Sequence, residues 1–123
     1  MDNSDIYREE ILSQYRNPQN FGVMKRPSRE SYKVNPLCGD GIRLQILLTP
    51  KGVVKKVRFS GTGCAISIAA ASLLTSWMEG KSLAQLKRLK PESVQKLLGV
   101  EVGPARHKCL FLSFEALRDI LGV

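Results

Sequence analysis

The sequence predicts an α+β protein in which a small antiparallel three-stranded sheet is covered by helices. Two adjacent segments in the middle of the chain alternate apolar and polar residues with period two, which indicates strands. The segments on either side repeat apolar residues near the helical period. The length of 123 residues suits one domain, residues 1–123, with a single sizeable core. Strands grouped together and then followed by helices are typical of the α+β class.

The first predicted element is an amphipathic helix over residues 5–16. Its apolar positions are Ile6, Ile11, Leu12 and Tyr15. The segment NPQNFG ends this helix, because Asn, Pro and Gly form turns and a proline disfavours helical backbone in the preceding residue. Residues 23–31 are basic and polar and are expected to form a loop.

A β-hairpin is predicted to follow. Its first strand, GIRLQILL, places apolar residues on one face and Arg43 and Gln45 on the other. The turn TPKG leads into a returning strand, VVKKVRFS, which has a period-two set of its own. The two sets are Ile42, Leu44, Ile46 and Leu48, and Val53, Lys55, Val57 and Phe59. The segment SYKVN adds a third strand at one edge of the sheet.

The longest helix of the second half begins after GTGC and ends before Gly80, which is expected to be the residue just beyond its cap. It is apolar on several faces, so we expect it at the centre of the fold. The final segment, KCLFLSFEALRDIL, repeats Cys109, Leu112, Ala116 and Ile120 at helical spacing.

Two shorter helices are predicted between these. Ser82 and Gln85 fit a capping box for a helix that runs to Leu89. Pro91 suits the first position of another helix, which ends at Gly99.

The composition limits the classes of function. With 43% hydrophobic and 24% charged residues the chain resembles an ordinary globular protein, and no apolar run reaches the ~20 residues of a transmembrane helix. The polar, acidic N-terminus predicts no secretory signal, so a cytoplasmic location and no membrane partner are expected. The basic residues behind the net charge of +8 are scattered, and the chain has no RNA-binding signature, so we do not expect it to bind nucleic acid. The positive charge suits an acidic protein partner as well as it suits a nucleic acid.

The three cysteines are the best candidates for a functional site. An odd number of widely spaced cysteines, without a signal peptide, favours metal ligands or reactive thiols over a disulfide framework. In the motif CGD, Gly39 allows the backbone to bend so that Cys38 and Asp40 can converge. A thiolate and a carboxylate so close would repel each other unless a cation lay between them.

The other two cysteines also lie where a thiolate is favoured. Cys64 follows GTG at a predicted helix N-terminus, where the helix dipole and unpaired N–H groups lower a thiol pKa. Cys109 follows the basic run ARHK. Three sulfur ligands with one oxygen ligand suit tetrahedral zinc, iron or an iron–sulfur cluster.

Other interpretations stay open at this point. Cys64 is a candidate nucleophile with His107 as its base, as in a sulfurtransferase, and buried cysteines without a function are common. His107 is the only histidine and a candidate ligand, but residues two apart on a helix point to different sides, which disfavours its joining Cys109.

Four motifs carry a resemblance to a known family. YREEILSQYRNPQNFG, NPLCGDGIRL, GTGCAISIAAASLL and PARHKC occur in the order found in the U-type iron–sulfur cluster assembly proteins. That family includes IscU, SufU and the N-terminal domain of NifU. The resemblance extends from residue 7 to about residue 120 and implies the family's α+β fold.

The resemblance implies a scaffold rather than an enzyme. Such a protein accepts sulfur from a cysteine desulfurase, binds iron, builds a transient [2Fe-2S] cluster and passes it to apo iron–sulfur proteins. The implied ligands of the cluster, or of Zn²⁺, are Cys38, Asp40, Cys64 and Cys109. Cys109 is the implied persulfide acceptor and Cys38 the alternative. A frataxin-like iron donor and a homo-oligomer bridged by a cluster are further implied partners.

The chain departs from both branches of the family. Lys108 stands where IscU has a histidine before the third cysteine, and VGPAR stands where IscU has the LPPVK segment that a heat-shock chaperone reads. The insertion of SufU between its second and third cysteines is missing. The SufU branch implies an alternative function, a zinc-dependent sulfur acceptor for a SufS-type cysteine desulfurase, with sulfurtransferase activity.

Overall fold

Three antiparallel strands form one sheet, and helices pack against it. The computed structural model describes residues 3–36, 39–99 and 101–123, with the backbone alone for residues 3–7. The predicted ligand Cys38 therefore lies outside the described residues. The elements are α1 (Asn3–Arg16), β1 (Arg29–Asn35), β2 (Asp40–Leu48), β3 (Val54–Thr62), α2 (Ala65–Met78), α3 (Leu83–Lys87), α4 (Pro91–Leu98), a 3₁₀ turn (Pro104–Arg106) and α5 (His107–Leu121).

The sheet has the strand order β1-β2-β3, with both pairs antiparallel. Its inward face is fully buried by alternating apolar side chains, as the period-two pattern predicts. These side chains are Ile42, Leu44, Ile46, Val57 and Phe59. Helices α2 and α5 pack on this sheet and on each other. The predicted α+β class and three-stranded antiparallel sheet are confirmed.

The alternation predicted for the returning strand is wrong at its start. A β-bulge lies opposite Leu47 and Leu48, where Leu47 pairs with Lys56 but Leu48 pairs with Val54. Lys55 is therefore the extra residue and is exposed, and Val54 is buried in place of Val53. One inserted residue in a ladder is enough to reverse the faces of the residues beyond it.

The loop predicted over residues 23–31 ends earlier than expected. Strand β1 begins at Arg29, which pairs with Ile46.

Gln45 is buried, although the sequence pattern places it on the polar face of the first hairpin strand. Its side-chain amide accepts a hydrogen bond from the Met24 N–H at 2.8 Å and donates one to the Met24 carbonyl at 3.0 Å. The chain around Met24 thus covers a part of the sheet that the sequence pattern predicts to be exposed.

Helix α2 has the central position predicted for it. Buried residues are distributed along most of its length. Gly80 directly follows the C-cap residue with φ of +81°, as predicted for the residue just beyond the helix. Helix α1 and the turn that follows it contact α2 through polar side chains: the Ser72 hydroxyl donates to the Gln14 side chain, and the Asn20 side chain donates to Thr75 Oγ1 at 3.2 Å. The α1–α2 interface therefore contains a neutral hydrogen-bonded cluster.

The remaining helices follow their predicted caps closely. Ser82 and Gln85 form the capping box of α3, which ends at Lys87 rather than Leu89 because the Arg88 N–H turns back to the Gln85 carbonyl. Helix α4 starts at Pro91 and stops at Gly99, whose φ is +85°. In the described part of the chain, no helix has the length and apolar character needed to cross a bilayer.

Candidate metal centre

The site is assembled where three junctions of the fold meet. Asp40 is the first residue of β2 and pairs with Asn35 at the end of β1. Gly39 before it has φ of +76°, a conformation that glycine adopts without the strain of a side chain. The bend predicted for the CGD motif is therefore present at Gly39.

Strand pairing brings the second junction to Asp40. Thr62, the last residue of β3, pairs with Gly41, so Cys64 two residues later lies beside the start of β2. The strands approach very closely here, because a Cβ on Gly61 would lie 2.0 Å from the Gly41 carbonyl oxygen. Gly61 also has φ of +134°, and only glycine fits this position.

The third junction is the first turn of α5. Cys109 lies in this turn and is 7% exposed, since α5 packs against α2 and the sheet. Cys64 is the N-cap of α2 and is half-buried. The ligand atoms of Asp40, Cys64 and Cys109 all lie within 4.8 Å of one another. The structure thus brings together three of the four residues that the sequence singled out.

The donor set fits a thiophilic cation. Zinc binds thiolate sulfur at about 2.3 Å and carboxylate oxygen at about 2.0–2.2 Å, so ligand atoms around a tetrahedral ion are separated by roughly 3.3–3.8 Å. The three ligand atoms, all within 4.8 Å of one another, lie close to that spacing. Two sulfurs and one oxygen also leave a coordination position open, which a fourth protein ligand or an exogenous group can fill.

The three side chains border one open cleft. Its volume is about 610 Å³. It is lined by Gly39, Asp40, Thr62, Gly63, Cys64, Ala105, Arg106 and Cys109. Arg106 is the basic residue of the run ARHK that lines this cleft, whereas Lys108 lines a different one beside Glu115. A guanidinium at the rim offsets part of the negative charge of thiolates and carboxylate.

Ser67 belongs to the site and was missed by sequence reasoning. Its hydroxyl donates to Asp40 Oδ2 at 3.1 Å and lies 3.6 Å from Cys64 Sγ. The Cys64 N–H donates to the same carboxylate oxygen at 3.3 Å. The signal available in the sequence was position: Ser67 follows Cys64 by three residues, and side chains in the first turn of a helix point back towards its N-terminus.

The electrostatics favour a thiolate at Cys64, as the helix N-terminus predicts. Burial raises the pKa of the Cys64 thiol, but hydrogen bonds outweigh it. The Ser67 N–H and hydroxyl, then the Cys109 thiol and the Ile66 N–H, interact with the sulfur and hold its pKa below the usual value. Cys64 is thus prepared to bind a cation or to react as a nucleophile.

His107 faces away from this cluster. Its Nε2 lies 3.1 Å from the Val102 carbonyl oxygen, and its ring contacts Phe111 edge-on with centroids 6.1 Å apart. It lines a separate cavity beside α4, with Gln95 and Glu101. Among the described residues, the group that can share a cation comprises Asp40, Cys64 and Cys109, without His107.

Solved structures define the class of this fold. A protein assigned to the SUF system of Fervidobacterium islandicum AW-1 as an iron–sulfur cluster assembly scaffold superposes with a TM-score of 0.79 at 23% identity, covering 98% of this chain and 99% of that one. The N-terminal part of a NifU-like protein from Brucella abortus gives 0.77 at 21% identity, covering 97% and 94%. The chain has the fold of these U-type proteins.

Sequence comparison identifies the family. Residues 6–121 match the NifU-like N terminal domain. The iron–sulfur cluster assembly scaffold protein IscU of Escherichia coli K12 is 33% identical over 115 residues, which cover 91% of this chain and 88% of that protein. The mitochondrial iron sulfur cluster assembly protein 1 of Yarrowia lipolytica is 32% identical over 118 residues, covering 94% and 64%. The chain belongs to the NifU-like N-terminal domain family.

Proposed function

We propose that this protein is an iron–sulfur cluster assembly scaffold, which accepts sulfur from a cysteine desulfurase, binds iron, and builds a [2Fe-2S] cluster that it transfers to apo-proteins. The observation that carries the proposal is the convergence of Asp40, Cys64 and Cys109 within 4.8 Å at an open cleft. Its relatives in Escherichia coli and Azotobacter vinelandii are iron–sulfur cluster assembly scaffold proteins.

The ligand set is proposed to be Cys38, Asp40, Cys64 and Cys109. Cys64 and Cys109 supply the soft thiolates that iron–sulfur centres require. Asp40 supplies a harder oxygen ligand, which exchanges more readily than a fourth thiolate and so permits release of the cargo. The open side of the cleft gives an acceptor protein access to this end of the molecule.

Sulfur enters by exchange between sulfur atoms. A thiolate of the scaffold attacks the terminal sulfur of the desulfurase persulfide, a new S–S bond forms as the old one breaks, and the desulfurase cysteine leaves as a thiolate. Cys109 is the proposed acceptor, and Cys38 is the alternative. Cys109 is 7% exposed but lines the open cleft, through which a desulfurase persulfide can approach its sulfur.

A zinc-dependent sulfur acceptor for a SufS-type desulfurase is the second candidate function. The observation that favours it is the donor set itself, since two thiolates and a carboxylate with one position open suit tetrahedral zinc. This function uses the same residues and the same sulfur transfer, with Zn²⁺ bound in place of the cluster. A frataxin-like iron donor, a homo-oligomer and a cytoplasmic location stay predictions under either function.

Metal content and colour decide between these functions. We would purify wild type and Cys109→Ala without oxygen and measure zinc, iron, acid-labile sulfide and the visible spectrum. Iron with sulfide and a brown colour supports the scaffold, whereas about one zinc per chain without colour supports the sulfur acceptor. Both functions require the Cys109→Ala protein to lose the bound metal. Cysteines that carry no metal and are fully alkylated in wild type would contradict both.

A further inference from the structure

A buried hydroxyl connects two ligands of the proposed metal centre. Ser67 is 1% exposed and lies in the first turn of α2. Its oxygen reaches Asp40 Oδ2 at 3.1 Å and Cys64 Sγ at 3.6 Å, although Asp40 belongs to a different element of the fold. Ser67 is therefore the side chain that ties the carboxylate on β2 to the helix that presents Cys64.

The Ser67 hydroxyl has two acceptors within reach. It carries a single proton, and a carboxylate only accepts. In the metal-free protein that proton is available to Asp40 Oδ2 at 3.1 Å and to a Cys64 thiolate at 3.6 Å. A cation bound to Cys64 takes up the charge of the sulfur and leaves Asp40 Oδ2 as the acceptor of the Ser67 proton.

Both described hydrogen bonds of the Asp40 carboxylate end on the same oxygen. Ser67 Oγ and the Cys64 N–H occupy Oδ2, at 3.1 and 3.3 Å. Within the described part of the chain, Oδ1 has no such donor. A carboxylate held by one oxygen presents the other in a fixed orientation, which suits a monodentate ligand.

The packing leaves Ser67 little freedom to turn away. A Cβ on Gly63 would lie 2.9 Å from Ser67 Cβ and 3.6 Å from Asp40 Cγ, so the backbone of Gly63 passes directly over this contact. The glycine is needed for the serine and the carboxylate to lie side by side. The backbone of Gly63 thus lies against the contact between Ser67 and Asp40.

We propose that Ser67 is a positioning residue of the metal centre, which holds Asp40 by Oδ2 so that Oδ1 faces the cation. This inference deepens the proposed function and rests on Asp40 being a ligand. Hydrogen-bond partners of metal ligands typically contribute a factor of about 10–100 to metal affinity. We expect Ser67→Ala to weaken zinc binding by that factor, because Asp40 then loses the shorter of its two described hydrogen bonds.

The test is zinc affinity, measured by competition with a chromophoric chelator on reduced protein under anaerobic conditions. Ser72→Ala is the matched control, because Ser72 is also a buried, hydrogen-bonded serine of α2 but contacts α1 instead of the site. We expect its affinity to match wild type. A Ser67→Ala protein that also matches wild type would overturn the inference and leave the proposed function standing.

A double-mutant cycle separates positioning from general packing. If Ser67 acts through Asp40, Ser67→Ala must have no further effect in an Asp40→Ala background. An equal loss in both backgrounds would contradict the inference. Wild type that binds no zinc would overturn the proposed function as well, so the two failures are distinguishable.

The absorption spectrum of the Co²⁺-substituted protein reports the metal ligands directly, so a change in packing alone does not alter it. In Co²⁺-substituted Ser67→Ala, the d–d bands that report the oxygen ligand should shift, while the thiolate-to-cobalt charge-transfer band keeps its intensity. An unchanged d–d spectrum would count against positioning of Asp40.

Discussion

Helix α2 carries two hydrogen-bonded clusters that are built from similar residues but differ in what they can do. At its N-terminus, Ser67 joins Asp40 and Cys64. Farther along, Ser72 joins Gln14 and the Gln19 N–H. The first cluster contains acidic side chains of two kinds, a carboxylate and a thiol, whereas the second contains only neutral groups.

The difference lies in how each cluster balances its charge. Amides and hydroxyls can satisfy one another fully, so the cluster of Ser72 needs nothing from outside the chain. A carboxylate beside two sulfurs, one of which has a lowered pKa, accumulates negative charge at neutral pH. A cation or a proton bound at this cluster would offset that charge. A buried serine on a central helix therefore indicates a functional site only when its hydrogen-bond partners are themselves candidate functional groups.

The largest effect is expected from the removal of Asp40, which is proposed to be the readily exchanged ligand of the first cluster. We expect Asp40→Ala to retain a reconstituted cluster several-fold longer than wild type, because the group that permits release is gone. Decay of the visible absorbance after exposure to a chelator measures the retention. Faster decay in Asp40→Ala than in wild type would contradict this role of Asp40.

A smaller effect is expected on the reactivity of Cys64 in metal-free protein. Ser67→Ala removes a hydroxyl that lowers the pKa of the Cys64 thiol, so that pKa should rise and the thiolate fraction at neutral pH should fall. Alkylation by iodoacetamide, followed by peptide mass spectrometry across a pH series, should be slower at neutral pH and shifted to higher pH. Ser72→Ala should leave the profile of Cys64 unchanged, and an identical shift in both variants would refute the distinction between the clusters.

The smallest expected effect concerns the neutral cluster. Gln14→Ala leaves the buried Ser72 hydroxyl without its acceptor, which should lower the free energy of unfolding by about 1 kcal/mol. For a chain of this size we expect the melting temperature to fall by roughly 3–5 °C, measured by circular dichroism on metal-free protein. The affinity for zinc should stay at the wild-type value, and a loss of binding would show that the two clusters are coupled.

The sequence was sufficient to single out three candidate ligands, which lie at element boundaries. Asp40, Cys64 and Cys109 were singled out because each follows or begins an element, and the structure brings these three together. Cys38 was chosen by the same reasoning and stays a prediction. The helix caps at Ser82, Gly99 and Gly80 were also readable, since capping depends on residues close in the chain.

What sequence reasoning missed depends on contacts between distant segments. The burial of Val54 follows from a bulge, and a bulge is set by the pairing of two strands rather than by either strand alone. Gln45 is buried because the chain near Met24 crosses the sheet. Ser67 acquires its importance only when β2 brings Asp40 to the N-terminus of α2. In each case, the local pattern was compatible with more than one tertiary environment.

The position of Cys109 on α5 has a consequence for the order in which the site comes into existence. A ribosome releases the sheet and α2 before α5, and N-terminal parts of a chain tend to fold first. Asp40 and Cys64 can meet at that stage, but Cys109 has not yet been synthesised. A nascent chain consequently presents an incomplete form of the proposed metal centre, and its three described side chains converge only once α5 has docked.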